Sequence, residues 1–263
     1  MTLRCALIVT NQVDACIRTL SGLIQDTRLP KPVLFNLSTG TETYPEAYPE
    51  KIKEQLLEVI KNNECHFLCF SIVDLFLTRT IDLMRYLKEK TRLPVIVGGI
   101  HAELYPEQTI KISEVDAICA GEAYQSFINV LLNWEKRFEL DMPDFWFKHE
   151  NDEIKKNKLT PFYHGSAFEK IPIPDFSYTN YHLLDGDKLR DISDTPDAGP
   201  FRVEQHQIGH EGTIIYSSMA GCSNHCSFCN LTAQFQLRKA QCDSEIVRPF
   251  RYKPLNIVEK ELE

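Results

Sequence analysis

The stretch PVIVGG at residues 94–99 is a continuous apolar run that ends in two glycines. Because it does not alternate between apolar and polar residues, it suits a strand buried on both faces of a parallel sheet. Four further runs have the same character and are bounded by turn residues: LRCALIV (3–9), PVLFNL (32–37), HFLCFSI (66–72) and DAICAG (116–121). The sequence therefore predicts five buried strands in the first half of the chain.

Amphipathic stretches lie between and after these strands. PEKIKEQLLEVIKNN (49–63), LFLTRTIDLMRYLKEK (75–90) and EAYQSFINVLLNWEK (122–136) each place apolar side chains at helical spacing. Strands that alternate with helices indicate an α/β fold with a doubly wound parallel sheet, and right-handed crossovers favour a flavodoxin-like strand order. We assign this domain to residues 1–138.

The pattern changes after residue 140. FWFKHENDEIKKNKLTPF (145–162) alternates around a polar turn and predicts a hairpin, whereas residues 171–200 are rich in Pro and Asp and predict a linker with little regular structure. The hairpin and linker together occupy residues 139–205. In the last segment, residues 206–263, EGTIIYSSMAG (211–221) predicts a strand and LNIVEKELE (255–263) predicts a helix.

Composition excludes several functional classes. A net charge of -8 argues against a nucleic-acid surface, which needs a basic stripe. No apolar run approaches the ~20 residues that cross a bilayer, and the start of the chain reads as a strand rather than a signal peptide. Several of the nine cysteines lie inside apolar runs, where a thiol acts as a small hydrophobe. This usage indicates a reducing, cytoplasmic environment.

Three cysteines, Cys222, Cys226 and Cys229, fall in the loop GCSNHCSFC (221–229). Thiolates at this spacing can converge on one metal centre. Structural zinc needs four ligands, for which His225, His206, His210 or Cys242 could supply the fourth. An iron–sulfur cluster normally takes four cysteines, so three would leave one iron open for chemistry. The remaining alternative is that the three thiols are unrelated.

A strand followed by GCSNHCSFC, with an aromatic residue before the last cysteine, resembles the signature of the radical S-adenosylmethionine (SAM) superfamily. The resemblance implies the start of a partial (β/α) barrel and a [4Fe–4S] cluster on Cys222, Cys226 and Cys229. The amine and carboxylate of SAM would occupy the open iron, and Phe228 would lie beside the SAM adenine. It also implies a small-molecule substrate and a flavodoxin- or ferredoxin-like electron donor.

The first domain resembles the cobalamin-binding (B12) domain that precedes the barrel in one large radical SAM class. The resemblance rests on VIVGGIHAELYPE and VDAICAGEAYQSF, with LCFSIVDLF, the hairpin and IPIPDFSY in matching order. It implies that cobalamin lies across the C-terminal ends of the strands. The residues near its lower face or nucleotide tail would be Ser71, Gly98, Gly99, His101, Gly121 and Glu122.

Two features depart from the pattern of these relatives. The D-x-H-x-x-G motif, which supplies a histidine axial ligand in other cobalamin enzymes, is replaced by TNQVDACIRTL after the first strand. The numbering also ends at residue 263, whereas a partial barrel of six βα units needs about 180 residues. We therefore expect an incomplete radical SAM domain over residues 206–263.

Together these features predict a cobalamin-dependent radical SAM enzyme, with methyl transfer to carbon or a related radical cyclisation or rearrangement as its reaction. The alternative is a non-catalytic module that binds cobalamin or a metal. The cysteine loop favours the enzyme, because a pure cobalamin carrier would not need it, and the expected truncation favours the module.

Overall fold

A computed structural model of the protein describes residues 3–11, 15–38, 47–162, 171–193, 219–224, 226–242 and 250–262. The five predicted strands are all present. They are β1 (Cys5–Val9), β2 (Val33–Asn36), β3 (Phe67–Ser71), β4 (Val95–Gly98) and β5 (Ala117–Cys119). All pair in parallel in the order β5-β4-β3-β1-β2, which confirms the flavodoxin-like arrangement.

Four more strands extend this sheet at both edges. The predicted hairpin forms as β6 (Phe145–Lys148) and β7 (Ile154–Lys156), and β6 pairs antiparallel with β5. At the other edge, β8 (Tyr181–Asp185) lies parallel to β2 and turns into β9 (Lys188–Asp191). The expectation that residues 171–200 form an irregular linker was therefore wrong for its middle part. The boundary predicted at residue 205 lies outside the described residues.

Helices cover both faces of the sheet. One face carries α2 (Glu50–Asn62), α3 (Leu77–Thr91), α4 (Ile100–Leu104) and α5 (Pro106–Thr109), and the other carries α1 (Ala15–Gln25) and α6 (Phe127–Leu132). The apolar stripes anticipated from the sequence face inward. Ile52 and Leu56 are buried on the first face, and Phe127 and Val130 are buried on the second. Two hydrophobic cores thus flank the sheet, as in a doubly wound fold.

The chain after the hairpin is fixed against α1 by a buried carboxylate. Asp175 accepts a hydrogen bond from the Ser21 hydroxyl at 2.7 Å, and Lys31 lies 2.9 Å from the same carboxylate. Arg18 donates to the Asp175 carbonyl at 3.0 Å. A side chain at Gly22 would overlap the backbone of Ile173, so this glycine allows the close approach. This anchor leads the chain to β8.

The described part of the C-terminal segment forms a separate unit of secondary structure. It contains β10 (Met219–Gly221), α7 (Asn230–Gln241), β11 (Phe250–Tyr252) and α8 (Leu255–Leu262), with β10 and β11 antiparallel. Only residues 219–221 of the strand predicted over 211–221 are described. The helix predicted at 255–263 is present as α8. It is the second described helix after the cysteines, because α7 precedes it.

None of the described helices is long and apolar enough to span a membrane.

Candidate functional site

A cavity of about 230 Å³ lies on the α1 and α6 side of the sheet, toward the C-terminal ends of β3, β4 and β5. Leu7 of β1 and Ile96 of β4 lie along it, and Ile17 and Phe127 contribute from the helices. The wall is mostly apolar, and polar groups are concentrated in the loops that follow the strands. Ligands of doubly wound sheets bind at this end of the strands.

Five of the six residues predicted to contact cobalamin line this cavity. They are Ser71, Gly98, Gly99, Gly121 and Glu122. His101 does not line it. Its side chain is buried, its Nδ1 contacts the Asp74 carboxylate, and its ring lies 5.3 Å from that of Tyr105. His101 therefore belongs to the packing of α4 against the loop after β3.

The three glycines of this set occur for different physical reasons. Gly99 has a φ of 89°, and a Cβ there would lie 2.7 Å from the backbone nitrogen of Ile72. A Cβ on Gly121 would overlap the buried carboxyl of Asp144. A Cβ on Gly98 would meet only the Cβ of Cys119, at an ordinary 3.8 Å. Of these three glycines, Gly98 is thus the one at which a side chain would have room.

Gly99→Val should destabilise the fold. A branched side chain at positive φ, pressed against backbone atoms that cannot move aside, should cost about 3 kcal/mol of unfolding free energy. Gly98→Ala is the matched control and should change stability by less than about 1 kcal/mol. Urea unfolding of both variants measures the difference. Equal midpoints for the two variants would contradict the distinction between these glycines.

The cysteine loop leads directly into α7. Cys229 is the residue before the helix, and its carbonyl accepts the N–H groups of Thr232 and Ala233 at 3.1 and 3.3 Å. Cys226 is exposed, Cys222 and Cys229 are half-buried, and the Phe228 side chain is 91% exposed. Among the described residues, no three Cys, His, Asp or Glu side chains are gathered as a metal site. The three thiols thus lie in one loop, and that of Cys226 is the exposed one.

The structure excludes one of the fourth ligands considered for zinc. Cys242 follows the far end of α7, where its buried thiol donates to the Leu159 carbonyl at 3.5 Å. At 1.5 Å rise per residue, the helix separates Cys229 from Cys242 by about 20 Å. The thiolates of Cys229 and Cys242 therefore cannot bind the same metal ion. His206, His210 and His225 lie outside the described residues.

Polar and charged contacts hold the cysteine-bearing segment, which contains the cysteine loop, α7 and β11, against the cavity. The Gln234 amide of α7 donates to Glu103 at 2.6 Å, and Arg251 of β11 pairs with Glu122 at 2.8 Å. Both carboxylates line the cavity. Arg238 pairs with the buried Asp144 at 3.3 Å and donates to the Thr160 carbonyl at 2.6 Å. The sequence alone gave no sign of these contacts.

Glu103 has an unusual environment among these groups. Burial raises its pKa to about 7, although Arg238 and the hydrogen bond from Gln234 pull in the opposite direction. The neighbouring carboxylates of Glu122 and Asp144 also raise it. Glu103 is therefore a cavity carboxyl that changes charge near neutral pH.

No protein-family profile and no curated protein matches the chain. Solved structures do. One is OxsB, a cobalamin-dependent SAM radical enzyme bound to aqua-cobalamin and SAM, with a TM-score of 0.58, 16% identity, and coverage of 99% of this chain and 31% of its own. Another is TsrM from Kitasatospora setae, a radical SAM methyltransferase with cobalamin and a [4Fe-4S] cluster bound, with a TM-score of 0.58 and 14% identity.

TsrM matches over 100% of this chain and 45% of its own. The structural neighbours are thus cobalamin-dependent radical SAM enzymes, and the chain spans less than half the length of each of them. At these identities the likeness establishes the fold. It confirms the fold expected from the sequence, a flavodoxin-like sheet of the kind present in cobalamin-binding radical SAM proteins.

Proposed function

We propose that the chain binds cobalamin at the cavity and a [4Fe–4S] cluster on Cys222, Cys226 and Cys229, as part of an enzyme that cleaves SAM. The observation that carries this proposal is the direct connection between the two sites. Glu103 and Glu122 line the cavity and bind Gln234 and Arg251, which follow the cysteine loop in the same segment. A pure cobalamin carrier has no need of such a segment.

The cavity suits one part of cobalamin. Its volume of about 230 Å³ and its mostly apolar wall suit the flat aromatic base of the nucleotide tail better than the bulkier corrin ring. The ring would then lie outside, across the strand ends that Ser71, Gly98 and Gly121 border. Bound cobalamin would supply a carrier for a methyl group. The chain's own residues would hold and orient it, and would exclude water from the base.

The cysteine loop suits a cluster with an open position. Its thiols are accessible and Cys242 is too distant to join them, so the described residues supply three thiolates. A bound cluster would supply an electron for SAM cleavage. Phe228 would lie beside the adenine of SAM, mostly through its backbone. The fourth ligand of the site would then be the cosubstrate.

The resemblance to cobalamin-dependent radical SAM enzymes also supports proposals about domains, reaction and partners. The domains are a cobalamin-binding domain at 1–138, a hairpin and linker at 139–205, and the N-terminal part of a radical SAM domain at 206–263. The reaction is methyl transfer to carbon or a related cyclisation or rearrangement, in the cytoplasm. Its partners are a small-molecule substrate and a flavodoxin- or ferredoxin-like electron donor. A non-catalytic module that binds cobalamin or a metal is the second candidate.

Anaerobic reconstitution of the chain with iron and sulfide, followed by titration with hydroxocobalamin, tests the proposal. We expect about four irons and one cobalamin per chain. Cobalamin binding without iron would favour the non-catalytic module. Binding of neither cofactor would reject both candidates.

A further inference from the structure

Two carboxylates of the cavity wall also contact the segment that carries the cysteines. Glu103 and Glu122 line the cavity, and each also binds a residue of the cysteine-bearing segment, whose described residues are 219–224, 226–242 and 250–252. The Glu103 side chain is 17% exposed and that of Glu122 is 13% exposed. Any ligand in the cavity and the position of the segment therefore act on the same two groups.

The two arginines of this segment are buried at the junction as well. The side chains of Arg238 and Arg251 are 3% and 9% exposed, and both guanidinium groups lie within 5.0 Å of the Phe162 ring centroid. Charges removed from water in this way stabilise a contact only when they are balanced. Three carboxylates, those of Glu103, Glu122 and Asp144, face the two arginines. Among these five described groups, the negative charges therefore exceed the positive charges by one when every carboxylate is ionised.

Glu103 is the carboxylate placed to resolve this imbalance. The titratable and charged groups around it come from several elements: Arg238, Glu122, Asp144, Cys119 and Tyr124. Its ion-pair distance to Arg238 is 3.9 Å, longer than the 3.3 Å from Arg238 to Asp144. Asp144 thus holds the arginine more closely, and Glu103 bonds mainly to the neutral Gln234 amide.

We propose that Glu103 is a positioning residue that takes up a proton when the cysteine-bearing segment docks against the cavity, so that docking weakens as pH rises. The sign follows from the geometry. Docking removes water from a carboxyl that already faces two other acids, which favours its neutral form. The pKa of about 7 in the docked state agrees with this. Such a group stabilises the docked state at low pH, and its contribution is lost as pH rises through about 7.

The thiol of Cys242 provides a built-in measure of docking. It is 9% exposed and lies at the end of α7, against Leu159. Undocking would expose it. We would measure the rate of N-ethylmaleimide labelling at Cys242 by peptide mass spectrometry, and divide it by the rate in unfolded protein at the same pH. From about pH 6 to about pH 8 the normalised rate should rise about threefold to tenfold.

Glu103→Gln is the matched variant, because it keeps an acceptor for Gln234 and is neutral at every pH. Its normalised labelling should stay slow and flat across the range. Gln234→Leu, which removes the donor that favours the ionised carboxyl, should move the rise to higher pH. Lys51→Gln breaks an exposed ion pair with Asp187 and should leave the wild-type response unchanged.

A flat normalised rate in the wild type, or a pH response in Glu103→Gln equal to that of wild type, would overturn the proposal. The labelling is performed without cobalamin or iron. Its failure is therefore distinguishable from failure of the proposed function, which is judged by cofactor binding.

Discussion

Cys226→Ala should leave the chain almost without iron after anaerobic reconstitution, whereas wild type should carry about four irons per chain. The described loop offers three thiolates and no fourth, so removal of one leaves two ligands for a four-iron cluster. Cys226 is exposed, so its loss creates no cavity in the core. The expected effect is therefore loss of the cluster without loss of the fold. Iron and sulfide content, together with the visible absorbance of the cluster, measure it.

Cys242→Ala is the matched control. This variant also removes a cysteine next to α7, but Cys242 follows the far end of that helix, about 20 Å from the loop. It should keep full iron content and lose only the modest packing of one buried thiol. A colourless protein with a single zinc ion, or equal iron loss in both variants, would contradict the assignment of Cys222, Cys226 and Cys229.

The sheet was predictable because its strands carry a strong local signal. Runs such as CALIV in β1 and FLCF in the first four residues of β3 are apolar throughout, as a strand covered by helices on both faces requires. The hairpin β8–β9 was missed, although its sequence contains a usable signal. YHLLD and KLRD are separated by Gly186 and Asp187, and Gly186 has a φ of 58°. A two-residue glycine turn between strands is a hairpin signal, but the Pro and Asp residues around it predict irregular structure and mask that signal.

The junction was not predictable from local pattern. Glu103 and Gln234 are separated by 131 residues, and Glu122 and Arg251 by 129 residues. Nothing in the sequence near either partner marks such a contact, because the pairing exists only once two parts of the chain have packed together. The glycines show the same limit. Gly98 and Gly99 are adjacent and both line the cavity, yet a Cβ has room at Gly98 and would overlap the backbone of Ile72 at Gly99.

The second large effect is expected at Gly98. Gly98→Leu should weaken hydroxocobalamin binding by about 10- to 100-fold while the protein stays folded. The first atom of the new side chain has ordinary contact with Cys119 and no other close neighbour, so the remaining atoms extend into the cavity. Overfilling a packed space costs about 1–3 kcal/mol, which corresponds to this loss of affinity. Equilibrium titration followed by visible absorbance measures the dissociation constant.

The comparison with Gly98→Ala makes the result specific to cavity volume. Alanine adds only the Cβ, which has room at 3.8 Å from Cys119, so its affinity should stay within about threefold of wild type. Thermal unfolding of both variants shows whether the fold is intact. If the Gly98→Leu and Gly98→Ala variants bind hydroxocobalamin equally well, the cofactor does not enter this cavity. If both lose binding although they remain folded, the site depends on the backbone at Gly98 and not on the open volume beside it.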